Sequence, residues 1–451
     1  MKLLYLNCLN RKQKFEQCIN DNICGDYIYD YPPRQSYRKL ESDIWNNIKY
    51  SLNKSNEINL YFHFPFCRQI CAFCNLFTIN DISCERFDEY FNALYRELDF
   101  YEPYLIGKKI NTIYLGGGTP SWIPSEYFEE LFNIIEKKFD ANIKNIDEVS
   151  IELSPETAKI THIKEYYNIG INRVNIGVQA VDNEELSCIG RKYNEKEIFT
   201  ALENVMSVGF KNVCVDLIYG LEGQTMESWK QSLSCVEKYS PQTICPYPLT
   251  LRSKTGFDKH GYIDIDGQLQ YEKYEYARNF LLRCGYEQET HVRYKLKNSQ
   301  GGYIQKENHW KQQNILGLGA GARSYLYNIN YRNGYSIVNR NKAYNLYLNM
   351  VEKKSNGIVD GFIMDNDEIM RKYIILSLNN LDVTEFKKKF EVSPYELFPE
   401  EFDILFENNI IVEMDSKLSF TKKGIMYRDI AVQLFFSDKI NKLIAEHSYI
   451  E

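Results

Sequence analysis

Cys67, Cys71 and Cys74 stand in a C-x3-C-x2-C spacing, Cys67-Arg-Gln-Ile-Cys71-Ala-Phe-Cys74. Thiolates are soft ligands that suit iron–sulfur clusters or zinc. Three at this spacing can wrap three corners of a cubane and leave one iron open to an outside ligand. Zinc would need a fourth ligand, for which His63 and Cys84 are the nearest candidates. The bland alternative is three buried small side chains. The motif follows an apolar run at Ile58–Phe64, which places the cysteines in a loop at a strand's C-terminal end.

Other residues at the ends of apolar runs could serve the same site. Gly117 and Gly118 follow Thr112–Leu115; glycines there let the backbone approach a ligand, though such a group is usually only a turn. Glu152 ends Val149–Leu153 and is either a satisfied core carboxyl or a partner for a hydroxyl or ammonium. Tyr61 and Phe73 can be read as packing residues. A buried Arg191 near Asp216 needs a partner, either in a structural salt bridge or on a ligand carboxylate that fits its fork. His291 and His309 are acid/base candidates, although a lone histidine is more often structural. His63 reads as support for the cysteine loop.

The elements that would position these groups follow from periodicity. Apolar runs at Ile58–Phe64, Thr112–Leu115, Val149–Leu153, Val174–Val178, Val213–Ile218 and Thr243–Leu249 alternate with amphipathic stretches at 84–102, 125–138, 158–168, 183–207 and 226–238. Such alternation implies parallel strands with crossover helices, either an open partial (β/α)6 barrel or a doubly wound sheet. In both, ligands sit at the C-terminal ends of the strands. After 250 the alternation fades. Helices are expected at 265–284, 340–353, 366–378, 383–390, 394–407 and 422–436, with two short strands at 409–413 and 417–420. The fold class is therefore α/β, with a cap over residues 1–56, a catalytic core over 57–330, a connecting helical segment over 331–364 and a winged-helix-like α+β end over 365–451.

Composition sets the limits. The chain has 451 residues, 44% hydrophobic and 25% charged, with a net charge of −7. That balance excludes wholesale disorder and argues against non-specific nucleic-acid binding. The run Lys387–Lys389 reads as a solvated helix face. No stretch reaches the ~18 apolar residues of a membrane helix, and the N-terminus lacks a cleavage signal, so a cytoplasmic location is expected. Most of the twelve cysteines should then be reduced.

The run Tyr61-Phe-His-Phe-Pro-Phe-Cys67 with its cysteine motif resembles the radical S-adenosylmethionine (SAM) superfamily, in the branch of oxygen-independent coproporphyrinogen III oxidase. The likeness continues through Gly116–Pro120, Ser150–Leu153, Asn175–Gln179, Asp216–Leu221 and Gly317–Tyr325. It implies a partial (β/α)6 radical SAM barrel and a [4Fe-4S] cluster on Cys67, Cys71 and Cys74. It also implies SAM contacts from Tyr61, Phe73, Gly117 and Glu152. A second SAM would contact Gly118, Thr119, Gln179, Arg191 and Asp216, and an electron donor such as flavodoxin or ferredoxin would be a partner.

Two departures from the haem branches stand out. No cysteine follows Cys74 until Cys84, and Gln305-Lys-Glu-Asn-His309-Trp310 lacks the His-Asn pair of haem-chaperone relatives. The segments 31–37, 71–78, 247–256 and 319–325 resemble class C radical SAM methyltransferases and cyclopropanases. The implied activity is transfer of a one-carbon unit to an sp2 carbon of a small-molecule or peptide natural product. The rivals are an oxidative, porphyrin-acting enzyme and a haem chaperone.

Overall fold

The computed structural model describes residues 11–23, 27–40, 44–252, 254–259, 266–299, 302–336 and 338–447. A two-residue strand, β1 (Arg38–Lys39), precedes the six expected runs. These form β2 (Glu57–Phe64), β3 (Lys109–Gly117), β4 (Glu148–Leu153), β5 (Arg173–Gln179), β6 (Asn212–Tyr219) and β7 (Thr243–Pro248). All six pair in chain order and in parallel.

Strand side chains alternate between the two faces of the sheet, which divides each run by function. In β2, Leu60, Phe62 and Phe64 are fully buried. Phe64 stacks on Phe91 of helix Cys84–Leu105 and meets Phe128 of helix Ser125–Phe139 edge-on. Tyr61 and His63 point to the opposite, concave face. Burial on both faces explains why the strands read as nearly continuous apolar runs.

The sheet does not stop where the sequence alternation fades. It continues with β8 (Tyr286–Thr290), β9 (Arg293–Leu296), β10 (Ile315–Leu318), β11 (Arg323–Tyr325), β12 (Ile329–Asn333) and β13 (Ile358–Ile363). The strand order is β1-β13-β12-β11-β10-β2-β3-β4-β5-β6-β7-β9-β8. β10 lies parallel to β2 and adds a seventh parallel strand; the outer strands are antiparallel. These strands are three to six residues long and most mix polar with apolar residues, so no long apolar run announces them.

The helix expected over 183–207 is two helices, Asn183–Cys188 and Glu195–Val208. Gly190 breaks it with φ of +78°, and Asn194 caps the second helix reciprocally with Glu197. The break turns Arg191 inward. Near the C-terminus, helices Asn366–Ser377, Val383–Phe390 and Pro399–Glu407 accompany an antiparallel sheet of β14 (Leu381–Asp382), β15 (Ile411–Met414) and β16 (Lys417–Phe420), ordered β14-β16-β15. The helix expected over 422–436 shortens to Arg428–Ala431 and a 3-10 turn, Val432–Phe435. Arg428 and Asp429 are buried there because they hold residue 28: Arg428 donates to the Ile28 carbonyl at 3.0 Å and Asp429 accepts from the Ile28 N–H at 2.9 Å. Among the described residues no helix is long and apolar enough to cross a membrane.

Candidate active site

The inward residues of β3 to β7, the cysteine loop and Tyr27 and Tyr29 of the N-terminal segment enclose a cavity of about 590 Å³. That size falls within the range of small-molecule sites. It opens at the C-terminal ends of the parallel strands, where ligands of α/β folds sit. Asn330 Nδ2 holds the N-terminal segment through Asp30 at 2.5 Å, and His309 Nε2 meets the Tyr29 carbonyl at 3.2 Å.

Cys67, Cys71 and Cys74 all line this cavity. The Cys67 N–H donates to the Ile79 carbonyl at 2.9 Å, and the Ala72 N–H to the Ile189 carbonyl at 3.1 Å, so the loop is fixed from two sides. Burial pushes the Cys67 thiol up to about 12, while the neighbouring Arg191 guanidinium works in the opposite direction. Both the helix break at Gly190 and the turn after it bring that cation to the sulfurs. The thiols are thus protonated by themselves and become ligands only beside a cation.

A single zinc ion does not suit these three cysteines. Among the described residues only Cys214, Asp216 and Cys245 bring three ligand atoms within 4.8 Å of one another, so the loop sulfurs stand wider than one tetrahedral ion allows. The proposed fourth ligands are also engaged elsewhere. His63 bonds the Tyr61 hydroxyl through Nδ1 at 3.0 Å and the Phe77 carbonyl through Nε2 at 2.8 Å. Burial lowers it to about 4, keeping it neutral. Cys84 is exposed at the start of its helix. Three widely set thiols with an adjacent buried arginine fit a multi-iron cluster.

The remaining candidates gather beside the loop. Glu152 accepts hydrogen bonds from the Tyr114 hydroxyl at 2.9 Å and the Gly117 N–H at 3.0 Å. Burial raises it to about 7 despite both donors. Asp216 accepts from Asn175 Nδ2 at 2.7 Å, and burial raises it to about 6. Gln179 adopts a left-handed φ of +69° beside a strand irregularity, a conformation that concentrates at functional sites. Gly118 packs so tightly that a Cβ would sit 3.0 Å from Cys67 Sγ, and the Thr119 hydroxyl lies 3.5 Å from that sulfur. Phe73, Gly117, Gly118, Thr119, Glu152, Gln179, Arg191 and Asp216 all line the cavity.

Tyr61 stacks on Tyr114 one layer behind the lining residues. His291 and His309 do not line the cavity. His291 faces Asp429 at 3.4 Å without a hydrogen bond, and His309, on helix Ile304–Trp310, meets the Tyr29 carbonyl through Nε2 at 3.2 Å, so both sit against the terminal segments and not in the cavity. Sequence reasoning missed Arg173, Cys214, Cys245, Arg293 and Lys306, which also line the cavity. The two-residue alternation from Asp216 back to Cys214 could have found one of them.

The profile described as "Radical SAM superfamily" matches residues 61–236. The heme chaperone HemW of Buchnera aphidicola subsp. Schizaphis graminum is 30% identical over 60% of this chain and 71% of its own length. The chain belongs to the radical SAM superfamily. Within it, the relatives place the chain in the branch of HemW and oxygen-independent coproporphyrinogen III oxidase. HemW of Lactococcus lactis subsp. lactis (strain IL1403) is 28% identical over 86% of this chain and 100% of its own. The oxygen-independent coproporphyrinogen III oxidase of Escherichia coli (strain K12) is 25% identical over 83% of this chain and 84% of its own. The solved structure of coproporphyrinogen III oxidase (HemN) from Escherichia coli, 21% identical, covers 91% of this chain and 96% of its own with a TM-score of 0.79, and so shares the fold.

These relatives overturn the expectation of a methyltransferase or cyclopropanase: they are heme chaperones and coproporphyrinogen oxidases. The segments that suggested alkyl transfer explain the error. Residues 71–78 carry the cluster loop, and parts of 31–37, 247–256 and 319–325 shape the walls beside it. In this chain they shape the cavity walls, a role that does not specify a reaction. The superfamily implies a [4Fe-4S] cluster and SAM, and the wide three-cysteine loop fits the first.

Proposed function

We propose that this protein is an oxygen-independent oxidative radical SAM enzyme acting on a carboxylate-edged tetrapyrrole of the coproporphyrinogen type. The observation that carries this reading is one wall of the cavity. Lys306 Nζ, Trp310 Nε1 and Arg293 Nη2 are buried there and lack a hydrogen-bond acceptor. Unpaired buried donors cost free energy, so a site that keeps three together suits an acceptor-rich, anionic ligand. The rings of Tyr27, Tyr29, Tyr303 and Trp310 give the same wall broad apolar faces for a macrocycle.

When bound, cluster and SAM together supply a 5′-deoxyadenosyl radical. Cys67, Cys71 and Cys74 would hold the cluster. Gly117 and Glu152 would orient the SAM amino or hydroxyl groups. Arg191 beside the sulfurs would balance thiolate charge. The wall of Arg293 and Lys306 would fix a carboxylate, and the N-terminal segment at Tyr27 and Tyr29 would exclude water. A second SAM would contact Gly118, Thr119, Gln179, Arg191 and Asp216, which binding stoichiometry measures. Reduction would come from a protein donor such as flavodoxin or ferredoxin.

The test is anaerobic turnover of the reconstituted protein with SAM, a reductant and coproporphyrinogen III. The expected result is 5′-deoxyadenosine formed together with a decarboxylated product. Absence of product with stoichiometric, tight haem binding would overturn the reading in favour of a heme chaperone, the function named for its HemW relatives.

A further inference from the structure

The N-terminal segment helps to enclose a second, smaller cavity beside the main one. Its volume is about 190 Å³. Small-molecule sites begin at roughly 300 Å³, so it has room for a side arm of a ligand and not for a macrocycle. Tyr29, Asn75, Leu76 and Arg252 line both cavities, which therefore adjoin.

Three arginines converge at this second cavity. Arg323 on β11 stands directly opposite Arg332 on β12 in the strand register. Side chains of such a pair leave the same face of the sheet, and like charges placed there repel. Arg34, on the 3-10 turn Arg34–Ser36, adds a third cation. Its Nη1 donates to the Tyr335 hydroxyl at 2.8 Å, and Arg332 lies 4.4 Å from the centre of the same ring. Arg332 has a carboxylate, since its Nε donates to Asp360 at 3.0 Å. Among the described residues Arg34 and Arg323 have no such ion pair. Arg323 stands among Tyr37, Tyr325 and Tyr335, which are uncharged near neutral pH. The carboxylate in the lining, Asp30, accepts from Asn330 Nδ2 at 2.5 Å and faces Lys372 at 4.0 Å, so it already has a cation of its own. Burial pulls the Arg34 guanidinium below its usual range, and Arg323 and Arg332 push the same way. Arginines kept this close without an anion are costly unless a ligand supplies one.

We propose that Arg34 and Arg323 form a second carboxylate subsite, which seats one carboxyl arm of the macrocycle while another meets Arg293 and Lys306. This assignment rests on the function proposed above. The guanidinium fork matches a carboxylate with two parallel hydrogen bonds. Tyr29 stands between the two subsites: Lys306 Nζ lies 3.4 Å from its ring centre, and the Tyr325 ring lies 5.5 Å away. A ligand that fills both must carry carboxylates on separate edges. A tetracarboxylate does so; a porphyrin with two neighbouring propionates does not. The arm seated here lies beside the cluster loop, because the Tyr335 hydroxyl donates on to the carbonyl of Asn75, the residue after Cys74, at 3.0 Å.

The test compares two fluorescent porphyrins by anaerobic equilibrium titration of the full-length, cluster-reconstituted protein. Coproporphyrin III carries four carboxylates, and mesoporphyrin IX carries two on one edge. The parent should bind coproporphyrin III about tenfold more tightly, the worth of a charge-assisted hydrogen bond. Arg34→Gln and Arg323→Gln should each erase most of that preference by weakening coproporphyrin III alone. Mesoporphyrin IX and SAM affinities should hold. Iron content and thermal melts verify the fold, and if Arg323→Gln does not fold, Arg34→Gln decides the matter. Equal affinity of the parent for the two porphyrins would overturn the subsite. So would unchanged coproporphyrin III binding in the variants, or a loss of SAM affinity in its place. A parent that binds neither porphyrin would instead overturn the function on which the subsite rests.

Discussion

Lys306 Nζ lies 3.4 Å from the centre of the Tyr29 ring. The contact joins the N-terminal segment to the helix Ile304–Trp310 in the cavity wall. It gives the ammonium some cation–π support but no hydrogen-bond acceptor. Burial therefore pulls Lys306 well below the usual lysine range, with Arg428 and Arg293 adding to the effect.

A lysine whose proton is weakened in this way holds it more firmly once a carboxylate arrives beside it. Binding of a tetracarboxylate such as coproporphyrinogen should thus take up a proton and weaken as pH rises. Calorimetry in two buffers of different ionisation heat measures that uptake. Lys306→Met should abolish it and reduce affinity about 10- to 100-fold, the worth of a charge-assisted hydrogen bond in a buried site. SAM affinity should be unchanged. Equal pH profiles for the variant and the parent would show that Lys306 does not meet the carboxylate.

Glu152 gives a second, opposite pH dependence. Its burial holds the carboxyl up at about 7, so it is largely neutral at pH 6 and ionised at pH 8. SAM carries a sulfonium and an ammonium, which favour the carboxylate. SAM binding should therefore strengthen from pH 6 to 8 and level off above about 7, by up to tenfold per pH unit on the rising limb. Glu152→Gln should flatten the curve and weaken binding about tenfold at pH 8. Equilibrium binding of SAM to the reconstituted protein checks both points.

How much of this was legible in the sequence depended on the physical signal each residue left. Cys67, Cys71 and Cys74 were visible because ligand spacing survives in one dimension. Glu152 was visible as an acid ending an apolar strand, and Asp216 through the resemblance to the family's motif. The six parallel strands were visible because both faces are covered and the runs are apolar throughout. β10 to β13 were not, since Ile315–Leu318 is four residues long and β12 mixes Ile with Asn, Tyr and Arg. The split of the 183–207 helix was legible in principle: Gly190 and the Asn194–Glu197 cap both mark it. Lys306 and Arg293 could not be placed, because only the tertiary fold shows that their helix and strand face the cavity without acceptors. The reaction was misread for a related reason: the motifs that carried it shape cavity walls, and wall shape does not name a reaction.

The loop cysteines should act as a set. Replacing Cys67, Cys71 or Cys74 singly with Ala should remove most of the iron and its visible absorbance. Cys84→Ala should leave both intact, because that residue is exposed at a helix start and outside the cavity lining. Iron assay after anaerobic reconstitution decides this. Loss of iron in Cys84→Ala would indicate a fourth protein ligand and remove the open coordination position that SAM chemistry needs.

Gly118 separates close packing from backbone strain. A Cβ there would lie 2.6 Å from the Phe66 carbonyl oxygen, 2.9 Å from the Pro65 carbonyl carbon and 3.0 Å from Cys67 Sγ. Two of these atoms belong to the backbone that carries Cys67, so relief requires the cysteine loop itself to move. Gly118→Ala should cost about 1–3 kcal/mol of stability, as overpacking does, and should lower iron retention as well. Gly107 provides the contrast. It has φ of +77° with nothing within 4 Å of the place an added methyl would take, so Gly107→Ala carries only the left-handed penalty of about 1–2 kcal/mol. That turn follows helix Cys84–Leu105 and carries no cavity residue. Thermal melts should therefore fall by similar amounts in the two variants, while iron loss should occur only in Gly118→Ala. Equal iron loss in both would mean that the cluster loop responds to global stability and not to its contact with residue 118.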